Sequence, residues 1–129
     1  VSKTTFNRTK FLHSLLEKVP KQNELRLYRY ALGDEVLTHS SMLAALGKNT
    51  DLVNKSLNYP SDIDCLINGD WIMQRTGLSP GIKLGRLKDW LFRIQIERGY
   101  ETLDQMETAL CTIPWQNGDP KLWPRPNWP

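Results

Sequence analysis

Gly77-Leu78-Ser79-Pro80-Gly81-Ile82-Lys83-Leu84-Gly85, residues 77–85, decides the fold. Gly77 can take the left-handed backbone that ends a helix, and Ser79 followed by Pro80 reads as an N-cap with proline at the first position of the next one. Ile82, Leu84, Leu87, Leu91 and Ile94 then recur at helical spacing as far as Gly99. Upstream, Gly69-Asp70 opens a segment, Trp71-Ile72-Met73, that runs into Gly77. The stretch predicts a helix, a tight glycine turn and a long helix. Gly81 and Gly85 leave a smooth strip on the first two turns of that long helix, where another backbone can approach: a packed helix or a phosphate chain.

The flanks speak the same language. Thr102 with Gln105 forms a capping box for a helix burying Leu103, Met106, Leu110 and Ile113 before Pro114. Toward the N-terminus, Thr4 or Thr5 caps a helix with Phe11, Leu12, Leu15, Leu16 and Val19 that Pro20 ends. Leu25, Tyr28 and Leu32 form a short stripe closed by Gly33. Asp34 caps a further helix with Val36, Leu37, Met42, Leu43 and Leu46, stopped at Gly47. Residues 48–61 read as a loop with at most a turn of helix. No hairpin dipeptide and no alternation of period two argue for a sheet. The expectation is an all-α, compact bundle of about six helices over residues 1–113. Residues 114–129, with four prolines from Pro120 onward beside Trp123 and Trp128, should be extended and fold their tryptophans onto the bundle.

A chain of 129 residues buries roughly two thirds of its unfolded surface and needs neither disulfide nor metal to hold a core. Its composition, 40% hydrophobic and 24% charged, is that of a globular protein. No apolar run approaches the ~18 residues of a membrane span, so no membrane partner is expected. Cys65 and Cys111 lack metal-ligand spacing and suggest a reducing, cytoplasmic setting. Opening on Val1, not Met, the sequence is expected to be a piece of something longer.

The net charge of +3 is mild, but its distribution is uneven. Residues 1–30 carry +5, residues 31–74 carry −4, and residues 75–98 return to +4. Two basic blocks separated by an acidic one could form a stripe for a phosphate backbone; the plainer alternative is solvated helix faces.

Several strings invite chemistry. Asp62-Ile63-Asp64 could hold the metal ions of nucleotidyl transfer, but no phosphate-gripping Gly-Ser or Gly-Gly turn precedes it and no third carboxylate is identifiable. Its aspartates read instead as caps in a loop. His13 and His39 lack the spacing of a metal pair or triad. Thr38-His39-Ser40-Ser41 shares a few letters with a ribonuclease III signature whose acidic segment is absent here. Neither cysteine has an activating partner.

The segment from Leu66 to Gly85 resembles the C-terminal part of class II CCA-adding tRNA nucleotidyltransferases and their bacterial poly(A) polymerase relatives. Leu66 to Gly69, Asp70, Trp71-Ile72, Gly77-Leu78, Pro80-Gly81 and Leu84-Gly85 match that pattern in order and spacing. Leu87 to Gly99-Tyr100 and Thr102 continue it, and Leu25, Tyr28-Arg29, Gly33 and Glu35 resemble the family's preceding body segment. The head domain's Gly-Gly-Ser turn and metal-binding Asp-x-Asp, and the neck's nucleotide-reading motif, are absent from this sequence.

The resemblance implies the non-catalytic, RNA-holding half of such an enzyme, or a stand-alone relative. Its partner would be the acceptor–TΨC arm of tRNA or another structured RNA. A catalytic head and neck, in cis or in trans, would use Mg2+ with CTP and ATP, and this chain itself would hold no cofactor. The expected RNA contacts are Gly81, Lys83, Gly85, Arg86 and Arg93 around the glycine turn, with Arg26 and Arg29 as a second block. An independent helix-hairpin-helix nucleic-acid module and a protein-interaction domain presenting Trp123-Pro124-Arg125-Pro126 as a polyproline ligand are the alternatives.

Overall fold

The computed structural model describes residues 18–128, so most of the expected first helix, His13 included, lies outside the described residues. Among those described there are six α-helices and no strand. Two compact units divide at Ser61 and Asp62. No described helix is long and apolar enough to cross a membrane.

In the first unit, α1 (Leu25–Leu32) buries Leu25, Leu27, Tyr28 and Leu32, and Gly33 closes it by donating its N–H to the Arg29 carbonyl. Helix α2 (Glu35–Ala45) follows directly. Asp34 stands at its N-cap position, yet its side chain makes no capping bond. Val36, His39 and Leu43 are the residues it buries, whereas Leu37 and Leu46 are 59% and 53% exposed. The expected stripe is too wide, because His39 takes a core position as the partner of a tyrosine. The Tyr28 hydroxyl lies 2.6 Å from His39 Nδ1, both residues fully buried. A hydrogen-bonded imidazole is tolerated in a core where an unpaired one is not. Helix α3 (Asp51–Lys55) and a 3-10 turn at Ser56–Asn58 make residues 51–58 helical, more than the one turn expected within the loop of residues 48–61.

In the second unit, Asn68 caps α4 (Gly69–Thr76) by accepting from the Trp71 N–H at 2.9 Å. Gly77, at φ 75° and ψ 7°, ends it. The long helix α5 (Ile82–Arg98) begins two residues later than the sequence predicts. Gly81, not Ser79, is its N-cap, at φ 158° and ψ −168°. That backbone is essentially restricted to glycine, so Ser79-Pro80 becomes part of the turn and not the first step of the helix. Gly99 closes α5, and the Thr102/Gln105 capping box opens α6 (Leu103–Thr112) as expected.

Helix α5 is the spine of this unit, packed by α4, α6 and a 3-10 turn at Pro120–Leu122. Leu84, Leu87 and Leu91 meet Ile67, Ile72, Met106, Ala109, Leu110 and Trp123 in one core. Leu103, expected inside, is 49% exposed, because it is the first residue of α6 and faces away from the spine. Buried Gln95 ties down the segment ahead of α4: its Oε1 accepts from the Leu66 N–H and its Nε2 donates to the Asp64 carbonyl, both at 2.9 Å. Trp123 packs at 5.3 Å on Trp90 of α5, and Trp128 is also buried.

Candidate nucleic-acid interface

The glycine turn delivers α5 with its first two turns facing an open groove of about 510 Å3, lined by Ile82, Gly85, Arg86, Lys88, Asp89 and Lys121. A Cβ built on Gly85 would meet nothing within 4 Å, so no neighbouring helix packs against that strip. Of the two occupants the smooth strip allows, the packed helix is therefore absent among the described residues.

The basic residues sort by what they already hold. Arg93 is engaged: its Nε donates to Glu97 at 2.6 Å and its Nη1 to the Arg125 carbonyl at 3.2 Å. Lys83 lies 6.0 Å from the centre of the Trp115 ring, at the far edge of cation–π attraction, and does not line the groove. Arg75 is committed to Glu107 at 3.5 Å and to the face of Trp71 at 4.1 Å. Arg86 is different. It lines the groove and its Nη1 is buried with no hydrogen-bond partner among the described residues. Lys88 and Lys121 stand beside it in the lining, opposed there only by Asp89.

The second expected block lies in the other unit, and its arginines serve the fold. Arg29 Nη1 donates to the Gly33 carbonyl and its Nε to the Tyr59 carbonyl at 3.3 Å, satisfying a helix end and a loop at once. The Arg26 guanidinium stacks on the Tyr59 ring at 4.6 Å.

Of the contacts expected around the glycine turn, Gly85 and Arg86 line this groove, and Gly81, Lys83 and Arg93 do not. Lys88 and Lys121, which sequence reading did not single out, line it as well. Lys88 sits in the second basic block; Lys121 lies in a stretch of net −2, where nothing local marks it.

Asp62 and Asp64 are exposed, and among the described residues no group of three His, Cys, Asp or Glu could hold a metal ion. Burial pushes the Cys65 thiol up, more than the Ile67 backbone hydrogen bond and the charge of Lys88 pull it down, which makes it a poor nucleophile.

No family model, curated protein or solved structure matches the chain. What remains is the chemistry of the groove: three cations without an ion-pair partner among the described residues, an exposed glycine and one carboxylate.

Proposed function

We propose that this chain holds a folded RNA by its phosphate backbone and performs no chemistry on it. The resemblance to CCA-adding enzymes makes the acceptor–TΨC arm of tRNA the expected ligand, with catalysis, Mg2+, CTP and ATP belonging to a head and neck in cis or in trans. One observation carries the reading: Arg86, Lys88 and Lys121 share a groove with the exposed Gly85 while the neighbouring arginines are spent on internal partners. Cations presented without internal partners suit phosphate oxygens, which fix register without reading bases.

The test is tRNA affinity across a salt series, for the intact chain and for Arg86→Ala/Lys88→Ala. Removing one cation from a phosphate should flatten the log–log salt slope by about 0.9 on a duplex arm. Weaker binding with a flatter slope and unchanged helical circular dichroism is the expected result. Unchanged affinity and slope would remove the groove from RNA binding. Equal affinity for plain DNA duplex would favour the independent nucleic-acid module.

A further inference from the structure

We infer that the C-terminal Pro/Trp segment is one wall of this groove, with Lys121 touching the same phosphate chain as Arg86 and Lys88. The inference rests on the RNA-holding reading above and assigns an RNA contact to a stretch that sequence reading takes as tryptophans folded onto the bundle or as a polyproline ligand.

The segment is built to present Lys121 at a fixed place. The Asp119 carboxylate caps its turn by accepting from the Lys121 N–H at 3.0 Å. The Leu122 and Trp123 N–H groups donate to the Asp119 and Pro120 carbonyls at 2.9 and 3.2 Å. Immediately beyond the turn, Trp123 enters the core beside Trp90, and two residues farther the Arg125 carbonyl receives Arg93 of α5. The backbone of Lys121 is thus held within its own turn and tied, through the residues that follow it, to the helix that carries Arg86 and Lys88. Its side chain reaches the groove with no ionic partner among the described residues. A cation on a loose terminus would lose much of its attraction to ordering entropy when it bound; this one has its backbone ordered beforehand. The commitment of Arg93 to Arg125 gains a purpose on this view: it gives up a phosphate contact to hold a wall that supplies another.

The groove is shallow and open, and the Lys121 side chain shares its lining with Arg86 and Lys88. Asp89 within the lining also spaces the cations instead of leaving a uniform positive sheet.

The experiment uses the full chain and a tRNA-derived hairpin, with Arg86→Ala, Lys121→Ala, Lys121→Gln and, as a control in the other unit, Lys55→Ala. Affinity is measured across a salt series, with thermal melts beside it. Lys121→Ala and Lys121→Gln should weaken binding to the same degree as Arg86→Ala. Each should flatten the salt slope by about 0.9 on the duplex stem. Melting should stay at the parental temperature and Lys55→Ala should bind as the parent does. If Arg86→Ala weakens binding while both Lys121 variants bind as the parent, the second wall is refuted and the RNA reading stands. If the intact chain ignores the hairpin, or prefers phosphatidylserine vesicles to it, both fall.

Discussion

Gly85 separates a packing role from a ligand role more sharply than any other residue in α5. It is the fourth residue of the helix, its N–H making a 3.1 Å bond to the Gly81 carbonyl. Its backbone is helical and a Cβ would meet nothing within 4 Å. Gly85→Ala therefore has no steric cost to set against the helix preference of alanine, about 0.5–1 kcal/mol. At that size the melting midpoint should rise by about 2–5 °C. Gly85→Leu should hold most of that gain, because the side chain enters open space. Binding should move the other way. A methyl group in the groove lining pushes back a backbone that approaches closely, and a leucine blocks it, so RNA affinity should fall modestly for alanine and steeply for leucine. Differential scanning calorimetry and a tRNA titration on the same samples make the check. A lower melting temperature for Gly85→Ala would mean that something packs on this strip. Higher stability with unchanged affinity for Gly85→Leu would mean that no ligand backbone comes near it.

Three further outcomes follow from the packing. Gln95→Leu, similar in volume, should cost about 2–4 kcal/mol in urea melts, because the Leu66 N–H and Asp64 carbonyl lose their bonds together; a cost below about 0.5 kcal/mol would show that the segment is held otherwise. Trp123→Ala should lose about 3–5 kcal/mol for a side chain 8% exposed in the core, and removal of residues 114–129 should lower the melting temperature as well. Burial pushes the Tyr28 phenol well above its ordinary value. Above about pH 10 the unfolded chain therefore gives up this proton while the folded chain keeps it, and stability falls by up to about 1.4 kcal/mol per pH unit. Tyr28→Phe should flatten that alkaline fall in urea midpoints between pH 8 and pH 11, while costing about 1–2 kcal/mol at neutral pH for the missing bond to His39.

Local grammar was enough for the elements themselves. The Thr102/Gln105 box, the closing glycines at 33, 77 and 99 and the apolar spacing of α5 act within one or two turns, so sequence alone determined an all-α chain and most helix ends. The start of α5 escaped it because Ser79-Pro80 satisfies the helix-start rules, whereas the non-helical backbone at Gly81 moves the first helical residue to Ile82. His39 escaped as a core residue because its inward position depends on a tyrosine eleven residues earlier.

The site divides along the same line. Charge blocks and the glycine strip are composition and spacing, hence visible in the sequence. Whether a given arginine is available is a property of what folding places beside it. Glu97 with the Arg125 carbonyl takes Arg93, Trp71 with Glu107 takes Arg75, and the Gly33 and Tyr59 carbonyls take Arg29. Lys121 is the reverse case: an unremarkable lysine in an acidic stretch, brought against α5 because Trp123 two residues on gains more from burial in the core than it loses by ordering the chain. Helices were decided by neighbours in sequence; the groove exists only because residues more than thirty apart were packed on one spine.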